Sequence, residues 1–257
     1  MGIIGFLDSL PLWSIFPLTV VIALLGVEAG SRLARLRQRG SEEDKEPTIG
    51  GMVGATLGLF AFMLAFTFGF AGSRFEDRRQ IQLSEANAIG TTYLRAKMLA
   101  EPMRTDAQNL LREYVDVRLE GVQPEKFQQA VVKSEELQER LWSVAEAQAA
   151  KERTVLTSLF IQSLNEVIDL HSARLMAATR SRVPGVIWIV LYLLLVLTMV
   201  MMGYQAGLAK SRRSIAALAL VIGFSSVLYL IVDLDRPGQG MLKVSQQSMI
   251  DLRKSMK

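Results

Sequence analysis

Hydrophobic residues in this chain are gathered into four stretches that contain no charged side chain. They lie at 9–27, 47–73, 183–209 and 214–232. A helix needs about 20 apolar residues to cross a bilayer core of roughly 30 Å. The pattern therefore predicts four transmembrane helices. We place them at 9–31, 49–73, 183–206 and 214–233.

The segments between these helices are polar. The largest, 74–182, is predicted to form a helical extramembrane domain, because its apolar residues recur at helical spacing, as at Leu137, Leu141 and Val144. Helix-breaking residues at Pro102 and at 121–124 divide this domain into three predicted helices. The first continues the second span to about residue 101, the second covers 105–119, and the third runs from 124 to 181 into span three. The remaining segments are basic loops and a C-terminal tail, at 32–48, 207–213 and 234–257. No stretch alternates apolar and polar residues as a β-strand does, so the predicted fold class is an all-α membrane protein.

Composition supports a membrane protein and argues against several other classes. Half of the residues are hydrophobic, and the mean hydropathy is +0.27 although 21% of the residues are charged. The absence of cysteine and the single histidine, His171, exclude thiol catalysis, disulfides and Cys/His zinc sites. No nucleophile elbow, P-loop or dinucleotide fingerprint is present. We therefore predict no enzyme, no cofactor, no metal and, with the basic residues dispersed, no nucleic-acid partner.

Small residues line one face of the second span, with spacings of three and four. They are Gly51, Gly54, Gly58, Ala61, Ala65, Gly69 and Gly72. Lipid gives helices no hydrophobic reason to associate, so close packing depends on such small residues. This helix-packing face could serve another span of the same chain or another copy of it.

Phenylalanines form a second stripe beside the small residues. Phe62, Phe66 and Phe70 repeat at i, i+4 and i+8 and so share one side of the helix. The simpler interpretation is contact with lipid or with the protein core. The alternative is a hydrophobic neck in an oligomeric pore, which would gate by dewetting.

Charged residues follow the second span directly. Arg74, Arg78 and Arg79 would raise the local anion concentration if they stood at a pore mouth. The alternative is an interface cluster held by helical pairs such as Glu76 with Arg79.

Two further polar groups are predicted to be structural. One lies on the third helix of the extramembrane domain, where Asn165, Glu166, Asp169 and Arg174 are expected to form a buried network with other helices. The second is Asp233, Asp235 and Arg236 at the end of the fourth span. There we expect a carboxylate to pair with Arg78 or Arg79. Metal binding by the two aspartates is the weaker alternative, since hard cations need about six or more oxygens.

Four motifs, in order along nearly the whole chain, resemble one known family. They are AFTFGFAGSRFEDRR at 65–79, EANAIGTTYLRA at 85–96, LNEVIDLHSAR at 164–174 and DLDRP at 233–237. These motifs resemble the bestrophin-like family, bacterial membrane proteins grouped by a domain of unknown function and remotely similar to bestrophins. One departure is Gly238, where the family usually has an aromatic residue after the proline.

The resemblance implies a bestrophin-like architecture. Bestrophins are pentameric anion channels with four spans and a large helical region between the second and third. Their neck is three apolar side chains on span two at i, i+4 and i+8, and Phe62, Phe66 and Phe70 match those positions here. The chain has no acidic run after the fourth span, so it lacks support for a calcium clasp.

Basic residues in the short loops bear on orientation. Positive residues favour the cytoplasm in short loops. The loops after spans one and three carry eight of them: Arg32, Arg35, Arg37, Arg39, Lys45, Lys210, Arg212 and Arg213. We therefore predict a bacterial inner-membrane protein with these loops cytoplasmic and the helical domain outside. The bestrophin resemblance implies the opposite orientation, and the segments flanking the other side carry as many basic residues.

Two functions remain open from sequence. The first is an oligomeric channel for small anions, a homo-oligomer of five copies by resemblance, embedded in the lipid bilayer. The second is a non-conducting oligomeric scaffold or envelope sensor whose helical domain binds a partner protein. The balance of 16 basic and 16 acidic residues in 74–182 slightly favours the second, because an ion vestibule often carries net charge.

Overall fold

A computed structural model describes residues 5, 9–38, 49–209, 215–238 and 240–256. Over these ranges the chain forms eight helices and no strand. They are α1 Leu12–Gln38, α2 Ile49–Ala96, α3 Met103–Glu120, α4 Phe127–Lys151, α5 Val155–Thr179, α6 Gly185–Leu208, α7 Ile215–Asp235 and α8 Gln247–Ser255. The predicted all-α class is confirmed.

Four of these helices are long and apolar enough to cross a membrane. They are α1, α2, α6 and α7. The apolar first half of α2 continues without interruption into a polar second half, and at 1.5 Å per residue its 48 residues extend about 72 Å. The helix ends at Ala96, a few residues before Pro102. The four spans expected from the charge-free stretches are therefore present as helices.

The predicted long helix at 124–181 is wrong, because two helices occupy this segment. Helix α4 ends at Lys151, and Glu152 is extended, with φ −144° and ψ 115°. Helix α5 then starts at a new N-cap, where the hydroxyl of Thr154 accepts a hydrogen bond from the Thr157 amide at 3.2 Å. Threonine is a favoured N-cap because its side chain satisfies an otherwise unpaired amide. The polar Gln148 and Lys151 in the apolar stripe are the sequence signal for this break.

The chain divides into two compact units. We call Met1–Arg74 with Arg182–Leu242 the membrane unit, and Phe75–Ser181 with Lys243–Lys257 the helical unit. Helix α2 contributes its first half to the membrane unit and its second half to the helical unit.

The core of the helical unit is built by the second half of α2 together with α3, α4, α5 and α8. Helix α8 lies in what the sequence analysis treats only as a tail. Its Met249 is fully buried, and Arg253 donates to the carboxylate of Asp116 on α3 at 2.6 and 3.0 Å. The short periodic run of apolar residues at 249, 252 and 256 is the signal for this amphipathic helix.

Glycines bring α1 and α6 into close contact within the membrane unit. A Cβ at Gly30 would overlap the carbonyl oxygen of Val200, and one at Gly203 would overlap that of Val27. Gly207 also faces Ala34, whose Cβ would lie 2.7 Å from an added Cβ. We call this contact the α1–α6 seam. Its glycines are spaced by four residues on each helix, at 26 and 30 and at 203 and 207, which is a small-residue signal that the sequence analysis does not use.

Candidate functional site

The first half of α2 has one buried face in the membrane unit. Five residues along that face are buried: Val53, Phe60, Leu64, Thr67 and Ala71. Phe60 packs against Phe224 of α7 with ring centroids 4.9 Å apart. The apolar side chains, and not the glycines, therefore attach α2 to the rest of its own unit.

The small-residue face of α2 is open in the protomer. A Cβ added at Gly51, Gly54, Gly58, Gly69 or Gly72 would meet no atom of the described ranges within 4 Å, and Ala61 and Ala65 are exposed. The seven residues of the predicted packing face lie on one side of α2, and no described part of the chain covers that side.

The phenylalanine stripe is also turned outward. Phe62 is 66% exposed and Phe66 is 63% exposed, whereas Phe70 is half-buried. Rings with this exposure face lipid or a further copy of the chain, and they take no part in the protomer core. Among the described residues Phe62 and Phe66 are not packed in a core, so of the simpler interpretation only lipid contact remains, beside the alternative of a pore neck.

The arginines after the stripe have three different surroundings. The guanidinium of Arg74 lies over the ring of Phe70, with Cζ 4.6 Å from the ring centroid. Arg78 is buried, and Arg79 is exposed and pairs with Glu76 at 3.4 Å. Arg74 therefore places a positive charge beside the last phenylalanine, while the charge of Arg79 is partly balanced by its own helix.

Asp235, at the end of α7, is held by the segment that precedes α6. Asp235 pairs with Arg182 at 3.0 Å and accepts a hydrogen bond from the Val183 amide at 2.7 Å. Asp235 thereby ties the end of α7 to the segment that precedes α6. Because both groups are largely buried, removing one partner would leave the other as an unpaired buried charge, which is strongly destabilising. The pairing of an aspartate with Arg78 or Arg79 stays a prediction.

Asp233 and Arg236 hold backbone segments of the membrane unit. Asp233 accepts hydrogen bonds from the amides of Met241 and Leu242 at 3.1 and 3.3 Å. Gly240, with φ +101°, lies so close to Asp233 that any side chain there would overlap the carboxylate. Arg236 donates to the Leu10 carbonyl at 2.9 Å. The structural role predicted for this cluster therefore rests on backbone contacts.

The predicted network on α5 requires a correction. Asn165, Glu166 and Asp169 are exposed, and only Arg174 enters a buried network. The buried side of α5 is defined by Leu164, Val167 and His171, and the three exposed polar residues lie between those positions in sequence. Their i, i+3 and i, i+4 spacing shows that they share a face, but it does not show that the face is buried.

The network that does form is centred on Glu85 of α2. This carboxylate is fully buried and contacts Arg174 at 2.5 Å and the Nε of Arg118 at 2.8 Å. The distance between Arg118 and Glu85 makes the contact an ion pair, but the direction of the Arg118 Nε–H bond does not make it a hydrogen bond. Tyr114 donates to Glu85 at 3.5 Å and accepts from Gln138 at 3.1 Å. None of Glu85, Arg118, Tyr114 and Gln138 is among the site residues predicted from sequence, although an isolated acid at the apolar spacing of α2 is a usable signal.

Burial and charge act together on the ionisable groups of this network. Burial, aided by Glu85, raises the pKa of Tyr114, so the phenol stays protonated. Burial also lowers the pKa of Arg174, an effect that Glu85 opposes. Because one carboxylate serves two guanidiniums here, loss of Glu85 would leave two buried positive charges without their counter-ion.

Metal chemistry finds no support in the part of the chain that the structure describes. No group of three or more His, Asp or Glu side chains in those ranges is placed to hold a metal ion. The basic residues from Arg39 to Lys45 and from Lys210 to Arg213, on which the predicted orientation depends, lie outside the described residues.

Comparisons with known proteins agree on one family and one fold. A family model described as the bestrophin-like domain matches residues 18–249. Two point variants of a bacterial bestrophin homologue from Klebsiella pneumoniae are similar in structure, each with 13% sequence identity. One has a TM-score of 0.65 over 95% of this chain and 97% of its own, and the second has 0.63 over 94% and 96%. A crystal structure described only as a membrane protein has a TM-score of 0.64 at 12% identity, over 95% of this chain and 97% of its own. No curated protein matches the chain.

Proposed function

The chain belongs to the bestrophin-like family, and on that basis we propose that it forms an oligomeric ion channel for small anions. Several copies, five by resemblance to bestrophins, would surround a pore lined by the first half of α2. Phe62, Phe66 and Phe70 would form the neck, and Arg74, Arg78 and Arg79 would stand at its mouth.

The exposed side of α2 carries this proposal. Phe62 and Phe66 are more than 60% exposed beside a glycine face that no atom of the described residues covers. A membrane helix with an uncovered small-residue face can approach a second helix closely. Packing of that face between copies would bring the adjacent phenylalanine stripes towards a common axis.

An apolar ring and a charged mouth would have separate roles. A phenylalanine ring makes no bond to an ion, so it would act by controlling whether water fills the neck. The positive charge at the mouth would favour anions. Of the three arginines, Arg74 is the best placed for this, because its guanidinium lies 4.6 Å from the centroid of the Phe70 ring.

Anion flux into liposomes tests the proposal. We expect flux from the wild type, and a larger flux from Phe62→Ala and Phe66→Ala because each widens the neck. The matched control is Phe68→Ala. Phe68 is also exposed on α2 but lies two residues from Phe66 and Phe70, on a different side of the helix. An equal change in the control would argue against a neck at Phe62 and Phe66.

The scaffold hypothesis predicts a different result. If the protein is a non-conducting oligomer that binds a partner through its helical unit, neither the wild type nor any variant will carry current in protein shown to be folded and oligomeric. The phenylalanines would then serve packing alone.

We also propose that the helical unit faces the outside of a bacterial inner membrane. The proposal depends on the eight basic residues of the two short loops. Single cysteines at Ser143→Cys and Ser211→Cys, in a chain without native cysteine, can be treated with a membrane-impermeant maleimide on intact cells. Ser143 is exposed on α4, whereas Ser134, a neighbouring alternative, is fully buried. Labelling at 143 alone supports the proposal, and labelling at 211 alone supports the opposite orientation.

A further inference from the structure

The only histidine of the chain is buried inside the network of the helical unit. His171 on α5 is 3% exposed, and its Nδ1 lies 3.4 Å from the hydroxyl of Tyr114 on α3. Its Nε2 is buried and has no hydrogen-bond partner among the described residues. A proton added to this ring would therefore create an N–H group without an acceptor.

The charged groups around His171 come from three helices. They are Glu85 of α2, Arg118 of α3 and Arg174 of α5, while α4 contributes the neutral Gln138. One negative and two positive charges leave this buried cluster with a net charge of +1 while the histidine is neutral. Protonation of His171 would raise it to +2. A second uncompensated charge is expensive in a buried site.

We propose that His171 is an acid-sensitive lock in the helical unit, stable while the imidazole is neutral and released when it takes up a proton. The released state is one in which α3 and α5 separate enough for water to reach the Glu85 network. This inference concerns the fold of the helical unit and does not depend on ion conduction.

The direction of the effect follows from where the proton binds. Burial, with a further contribution from Arg118, lowers the pKa of His171 from 6.5 to about 4. Between these values the opened state binds a proton and the closed state does not, so stability falls as pH falls from 6.5 towards 4. From pH 7 to pH 5 the equilibrium constant that favours the closed state of the helical unit should fall about 20-fold.

Hydrogen exchange on the full chain in lipid nanodiscs measures this opening. Amides of α3 and α5 should lose about 20-fold in protection from pH 7 to pH 5, after correction for the intrinsic exchange rate. Amides of α1 and α6 should show no such loss and serve as an internal control.

Two variants separate His171 from general acid effects. His171→Gln removes the titrating group, so the loss of protection should fall below twofold. Asn165→His places an imidazole at an exposed position of the same helix, and the wild-type loss should be unchanged.

Imidazole NMR provides a second measurement that needs no variant, because wild-type protein gives the signal of a single histidine. We expect the chemical shift of the His171 imidazole to titrate with a midpoint well below pH 6.5. A midpoint at or above 6.5 overturns the proposal, as does wild-type protection that changes less than twofold between pH 7 and pH 5. An undiminished loss in a folded His171→Gln variant also overturns it. Should that variant fail to fold, the wild-type titration decides.

Discussion

Two sets of glycines in the membrane unit differ in what surrounds them. In the α1–α6 seam, Gly30 and Gly203 leave no room for even a methyl group, because each faces a backbone carbonyl of the other helix. On α2, a Cβ at Gly54 or Gly58 would meet open space. Both sets have the spacing of a small-residue packing motif.

The difference shows what such a motif does and does not encode. Small residues permit close approach of two backbones, but the sequence does not name the second backbone. The protomer fills the α1–α6 seam itself and attaches α2 by a different face, through Phe60 and Leu64. The glycines of α2 are therefore available for contact with another copy.

The largest expected effect is at the filled seam. Gly30→Leu places a side chain against the Val200 carbonyl, which belongs to the backbone and cannot rotate away. We expect a loss of about 3 kcal/mol or more in the free energy of unfolding, the upper part of the range for overpacking. Thermal unfolding in detergent, followed by circular dichroism, measures it.

The control for this prediction is Gly223→Leu on α7, where an added Cβ would meet no atom within 4 Å among the residues that the structure describes. It should change the free energy of unfolding by only about 0.5 kcal/mol, as at other open positions. If both variants lost the same free energy of unfolding, the space around a glycine would not determine the cost of substituting it.

An intermediate effect is expected at the open face. Gly58→Leu should leave the protomer folded but weaken assembly at least about tenfold, equivalent to about 1.4 kcal/mol, because the bulky side chain separates the copies. Mass photometry in detergent measures the oligomer fraction, and circular dichroism checks the fold.

Gly223→Leu is again the matched control, since a Cβ there also meets no described atom within 4 Å but Gly223 belongs to α7. Its oligomer fraction should equal that of the wild type. An assembly that tolerates Gly58→Leu would show that the α2 face contacts lipid and not another copy.

The smallest effect is expected from glycine-to-alanine substitutions, which add a single methyl group at an open or at a filled position. Gly54→Ala on α2 should stabilise the isolated protomer slightly, by about 0.5–1 kcal/mol, because alanine is the better helix former and the space is free. Gly203→Ala should destabilise it, since the added methyl overlaps the Val27 carbonyl. Thermal unfolding of the two variants in detergent gives the sign of each change. The same sign for both would contradict the contrast.

Part of the polar site was accessible from the sequence and part was not. The position of Asp235 at a membrane boundary predicts an arginine partner, and one exists. Its identity, Arg182, depends on the proximity of the end of α7 to the start of α6, two segments separated by about fifty positions in sequence. Asn165, Glu166 and Asp169 share a face by their spacing, but only the packing of α5 shows that this face is exposed.

The sequence by itself determines the four spans, the all-α class and the faces of α2. These are local properties, since the cost of burying charge in lipid and the period of a helix act on consecutive residues. Tertiary structure alone decides which glycines are filled and how Glu85 comes to hold Arg118 and Arg174. Each of these depends on which helices become neighbours, and neighbours are chosen by packing across many residues rather than by any short segment.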